Sequence, residues 1–289
     1  MDAALETLLD GVIDYAGLFP PAALEMRAAT KEFLVHLDGE EGLLVNRFVC
    51  PAAKLAEFAS VLDLFSVESQ FGVTVIGTSI DDVPEDLSLI QAFEKRQGEQ
   101  VVVEGYEVRS SPHVAESLAK LRRMSAFDSY LEIPLGEQVS EALHLIADTE
   151  SASAKVRTGG LKPEAFPASR DLAAFIRECL DLNVPFKMTA GLHHPIRHFN
   201  EQIGVKMHGF LNVLVATALA DVHDLNVSEI TEILDEEQPR SFEFAESTIG
   251  WRGHSAGLDV IDGMRTLFAG FGSCSVSEPM ADLKQLGLW

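Results

Sequence analysis

Short β-branched or aromatic runs recur along the chain, each followed by a stretch whose apolar residues fall three and four positions apart. That alternation predicts strands leading into amphipathic helices. The strand-like runs are Val12–Tyr15, Leu44–Val49, Gly72–Ile76, Val101–Tyr106, Tyr130–Ile133, Ala154–Arg157, Pro185–Met188 and Phe242–Ala245. Helical spacing fills Ala52–Leu64, Pro84–Arg96, Pro112–Met124, Gln138–Ala147, Ser169–Leu182 and Met207–Ala220, with Ser169 and Ser228 placed as N-caps. Eight strands alternating with helices predict an α/β fold, a parallel sheet closed into a single TIM (β/α)8-type barrel over residues 1–289. Residues 271–289 are expected to form a C-terminal extension over or beside the barrel. An open doubly wound sheet is the competing architecture, but no glycine-rich nucleotide fingerprint follows an early strand.

Barrel strands are buried on both faces and should read as nearly continuous apolar runs. Several here carry charge instead: Glu104, Glu132, Lys155, Arg157 and Lys187. An unpaired buried charge costs several kcal/mol. The cheaper arrangement sets these groups at the carboxyl ends of the strands, around one polar pocket, where barrel active sites lie. Alternation puts Lys155 and Arg157 on one side of their strand, and Lys187 and Thr189 on one side of the next. Taken singly, Glu104 or Glu132 reads more readily as half of a structural ion pair. Two lysines and an arginine on adjacent strands need anions among them, from the glutamates or from a substrate phosphate or carboxylate. Thr158-Gly159-Gly160 and Ala190-Gly191 follow the two lysine strands, and small residues there admit close approach of a ligand to backbone amides.

The paired pattern resembles class I aldolases of the deoxyribose-phosphate aldolase type, which carry a lysine on the sixth strand in Lys-x-x-Thr-Gly and another on the seventh before a glycine. Here the two read Lys155-Val-Arg-Thr-Gly159 and Lys187-Met-Thr-Ala-Gly191. The likeness covers roughly residues 153 to 192. It implies a Schiff-base lysine at Lys155, a neighbouring Lys187 that depresses its pKa, and no cofactor. Two departures stand out. Arg157 occupies a position that is usually a small hydroxyl residue in that family, and Leu192-His-His-Pro-Ile-Arg-His198 replaces the expected short phosphate-binding turn. The expected substrate is therefore another small anionic oxo compound rather than deoxyribose phosphate.

Pro185 to Phe210 forms a basic island, with His193, His194, His198, His208, Arg197 and Lys206 against Glu201. Loops of such length are usually functional. His193 is a candidate general acid or base, with Glu132 and Glu104 as further proton carriers. His194, Arg197, His208 and Arg252 are candidate anion ligands, together with Arg157, Thr158, Gly159, Gly160, Thr189 and Gly191. A divalent metal such as zinc on His193, His194 and Glu132 is the alternative, giving a metal-dependent lyase or hydrolase. A third possibility is a barrel that binds an anion without turnover. Asp14 reads as an acid/base group or a turn residue, and Cys274, with no evident partner, as structural.

The net charge of −23, from 45 acidic and 22 basic side chains, opposes binding to nucleic acid or anionic membranes. It is also compatible with a saline habitat. Three scattered cysteines fit a reducing compartment. The start lacks a basic stretch with an apolar core, and the longest apolar run, Phe210–Ala220, is too short for a bilayer. A cytoplasmic enzyme, with homo-oligomerisation left open, is the expectation.

Overall fold

In the computed structural model, which describes residues 1–67, 69–149 and 152–289, eight parallel strands close into one barrel. They are β1 (Ile13–Tyr15), β2 (Val45–Pro51), β3 (Phe71–Ile76), β4 (Val101–Arg109), β5 (Asp128–Glu132), β6 (Ser153–Arg157), β7 (Phe186–Thr189) and β8 (Phe268–Ser273). Each pairs with its sequence neighbour in the set, and β8 returns to β1 through Phe271 beside Ile13 and Ser273 beside Tyr15. Closure removes any open sheet edge. The TIM-type α/β barrel expected from the alternation is the fold.

The first seven strands fall where the apolar runs predict them, with β4 extending three residues further, to Arg109. The eighth does not. Phe242–Ala245 belongs to a small antiparallel sheet with Thr248–Trp251 and His254–Gly257, outside the barrel. The wall is closed by Phe268–Ser273, so residues 271–273 are barrel and not extension. Two glycines hide this strand from a propensity reading, since glycine is depleted in strands. Gly270 has φ +132, and a Cβ there would lie 2.5 Å from the Val12 carbonyl oxygen, so the closing contact with the chain at β1 requires glycine.

Aromatic stacking fills the space between barrel and helices. Phe48 stacks on Phe58 at 4.5 Å and Phe58 on Phe93 at 5.6 Å, joining β2 to helices Leu55–Leu62 and Val83–Gln97. On the other side Phe186 meets Phe175 and Phe268. Helix Phe210–His223 is buried on every face from Phe210 to Ala220, which accounts for its apolar run. Among the described residues no helix is long and apolar enough to cross a membrane. The two expected serine caps differ in detail. Ser169 lies inside its helix and donates to Asp235, while the helix Val227–Leu234 is capped by Asn226 in a reciprocal capping box with Glu229.

The connection after β7 is not a plain loop. Its middle folds as a hairpin, His198–Asn200 against Val205–Met207. Asn212, fully buried, anchors the segment by accepting from the Arg197 amide and donating to the Ile233 and Glu236 carbonyls.

Candidate active site

The carboxyl ends of all eight strands surround a cavity of about 900 Å³. Its floor is polar because β5, β6 and β7 set Glu132, Lys155 and Lys187 level with one another as register partners, and level residues of parallel strands face the same side. Lys155 Nζ lies 2.5 Å from Glu107 Oε2 and 3.0 Å from Glu132 Oε2. Lys187 Nζ lies 2.5 Å from the other Glu107 oxygen and bonds Asp14, which also accepts from Thr74. One carboxylate thus bridges both ammonium groups. All five ionisable residues are less than a tenth exposed. Lys155, Glu107 and Glu132 line the cavity, and Lys187 and Asp14 stand behind them.

Three carboxylates against two ammonium groups leave this cluster with one formal negative charge, so the lysines are neutralised from within. Burial opposes ionisation of Glu107, but Lys155 and Lys187 outweigh it and hold its carboxyl at about 2. The same balance between burial and Lys155 keeps Glu132 below the usual carboxylate range. Burial would strip the proton from Lys187, yet Asp14 and Glu107 more than offset this and raise it above an ordinary lysine. The Lys187 ammonium also sits 5.3 Å above the ring of Tyr130, whose phenol burial pushes up to about 12.

Arg157, two residues beyond Lys155, reaches the cavity from an exposed position, as Thr189 does from the end of β7 and Gly160 and Gly191 from the turns that follow. Arg109 joins them at the rim, donating to Glu132 at 3.3 Å. His193 and His194 also line the rim. His193 Nδ1 pairs with Glu278 at 2.9 Å and His194 Nδ1 with Asp282 at 2.5 Å, both on the helix Ser277–Gln285. Among the described residues no three His, Cys, Asp or Glu side chains converge as metal ligands. The three donors of the alternative metal site point apart, Glu132 toward Lys155 and each histidine toward its own carboxylate.

Other expected residues serve elsewhere. Glu104 is half-exposed and bonds Arg47, which also holds Asp128 at the first residue of β5, away from the cavity. The reason is a register shift between Val73 and Thr74 that turns Glu104 out of the β3–β4 ladder. Thr158 is buried and donates to the Thr189 and Ala190 carbonyls, so its hydroxyl ties β6 to β7. Gly159 allows the two turns to cross, since a Cβ on it would lie 2.7 Å from the Gly191 Cα. Arg197 is spent on His208 and Asp235. Arg252 bonds Glu236 and covers Trp251 in the small antiparallel sheet.

His208 is fully buried, with Nε2 facing the Pro167 carbonyl and Nδ1 facing Arg197. Burial, reinforced by Arg197, lowers it to about 4 despite the Pro167 bond. The unfolded chain protonates this imidazole near 6.5 and the folded chain only near 4, so stability falls as pH drops between those values. The predicted loss is about 3 kcal/mol across that window. His208→Gln is expected to flatten the slope in urea unfolding between pH 6.5 and 4, and an unchanged slope would show that His208 does not cause it.

Sequence reading missed Glu107 and Arg109 and left Asp14 open. Their signal was the alternation Tyr106-Glu107-Val108-Arg109, a continued strand with its polar residues on one side. Compared with protein-family models and with curated proteins, the chain matches none.

Proposed function

We propose that Lys155 forms an imine with a small carbonyl compound and that the cavity makes or breaks the adjacent C–C bond, a lyase chemistry of the aldolase type. One observation carries this reading: a buried amine at the floor of the cavity, held between two carboxylates, with a second ammonium sharing one of them. In water a lysine is protonated and unreactive toward carbonyls. Two carboxylates favour the charged form, so the amine is freed only in the reacting complex, where Glu132, 3.0 Å from Nζ, takes one proton as the nitrogen meets the carbonyl. The nitrogen adds to the carbonyl carbon, a proton moves from nitrogen to oxygen, and protonated Glu132 returns its proton as that oxygen departs as water. The iminium that remains carries the charge that the ammonium carried, so Glu107 and Glu132 stabilise it without reorganising. Cleavage then passes the electrons of the neighbouring C–C bond into the iminium, while a carboxylate takes the proton of the departing hydroxyl group.

Lys187 acts from behind. Its charge, fixed by Asp14, keeps Glu107 ionised and is not offered to the substrate. Because the chain's own carboxylates neutralise both lysines, recognition of an anionic substrate falls to Arg157 and Arg109, with His193 and His194 at the rim. A carboxylate or phosphate on the substrate suits a guanidinium fork there.

The test is a partial reaction that needs only the imine. With acetaldehyde, acetone or pyruvate in D2O, the protein is expected to exchange the protons next to the carbonyl for deuterium, followed by NMR. Absence of enzyme-dependent exchange with every donor would overturn the proposal.

A further inference from the structure

We propose that Cys274, His193 and Glu278 form a second nucleophilic centre in the same cavity, a thiol with its own base that takes the acyl group of an activated ester or thioester. All three line the cavity, His193 beyond the end of β7, Cys274 directly after β8 and Glu278 on the helix Ser277–Gln285. Cys274 Sγ lies 3.9 Å from His193 Nε2, and His193 Nδ1 lies 2.9 Å from Glu278 Oε2. The carboxylate accepts the Nδ1 proton, and that tautomer leaves the Nε2 lone pair directed at the thiol. This is the order nucleophile, base, orienting carboxylate. The two imidazole nitrogens face different residues, so the trio has no common point for a metal.

Cys274 is largely buried yet lines the cavity. Cys274 follows β8 directly, in a turn held by Ser273 donating to the Ser275 carbonyl and by the Glu278 amide donating to Ser275 Oγ. Burial raises the Cys274 thiol above its ordinary range, although the backbone at Ala22 and at Cys274 itself favours the thiolate. A protonated thiol at neutral pH needs a base, and His193 is the base within reach. The structural role expected for Cys274 from sequence alone did not anticipate this contact, because the two residues are 81 positions apart.

In the proposed step the Cys274 proton moves to His193 Nε2 as the sulfur–carbon bond forms. The bond from the acyl carbon to its alkoxide or thiolate leaving group breaks, and the leaving group takes the proton from Nε2. Water, deprotonated by the same nitrogen, releases the carboxylic acid and restores the thiol. None of this requires the Lys155 imine.

The experiment uses the whole 289-residue chain with p-nitrophenyl acetate. The expected result is a burst of one p-nitrophenolate per chain and an acetyl group on the Cys274 peptide by mass analysis, both absent in Cys274→Ser. His193→Gln is expected to slow the burst about 100-fold at pH 7. Its rate should then climb with pH as free thiolate replaces base-assisted thiol. No burst, an acetyl group on Lys155 or another residue, or a His193→Gln burst at the unaltered rate would each overturn the proposal.

Discussion

Glu107→Gln is expected to lower the stability of the fold at pH 7 by about 3–5 kcal/mol, the cost of breaking a buried ion pair from one side. The substitution keeps shape and removes only charge. Lys155 retains Glu132 and Lys187 retains Asp14, but the two ammonium groups then meet a neutral amide. Only one face of that amide accepts hydrogen bonds, so the other presents N–H groups to a cation. The pH dependence carries the signature. Glu107 titrates at about 2 in the fold and near 4.5 when unfolded, so the folded state is the poorer proton binder. Its contribution is therefore fully present above pH 4.5 and is lost as pH falls through about 2. Urea unfolding of both proteins should show a gap at pH 7 that closes toward pH 2. A gap below about 1 kcal/mol at pH 7 would mean that the bridge contributes little.

Lys155→Met is expected to remove the chemistry outright. Methionine fills nearly the same volume, and Glu107 keeps Lys187 while Glu132 keeps Arg109. Three buried carboxylates then face one buried ammonium, so stability should fall by at least as much as in Glu107→Gln. Deuterium exchange next to a carbonyl should fall by about 10⁴-fold or more, to the rate in buffer, because removal of a covalent nucleophile leaves only binding effects. Exchange that survives in Lys155→Met would assign the chemistry to another group.

The lysine strands were legible because charge in a doubly buried strand has few explanations. Lys155 and Lys187 meet the pocket's carboxylates as level neighbours, as strand periodicity required. The anions that neutralise them were harder to see. Glu107 follows Gly105 and Tyr106, where the apolar run weakens, so strand propensity ends at Tyr106 and leaves the inward glutamate outside. Glu104 took its place in the reading, and only the register shift in the β3–β4 pair, a tertiary feature, turns that residue away. His208 and Arg197 looked like ligand-binding cations in a basic loop. They pack against each other and against Pro167 and Asp235, partners brought in by chain 38 to 41 residues distant. Loop cations can be counted in sequence, but their partners depend on packing.

Borohydride reduction in the presence of a turned-over carbonyl compound, followed by peptide mass analysis, measures the imine directly. The account predicts one reduced adduct per chain on Lys155, absent in Lys155→Met, with Lys187 unmodified because it stands behind the floor of the cavity and does not line it. An adduct on Lys187, or turnover with no adduct on either lysine, would contradict it.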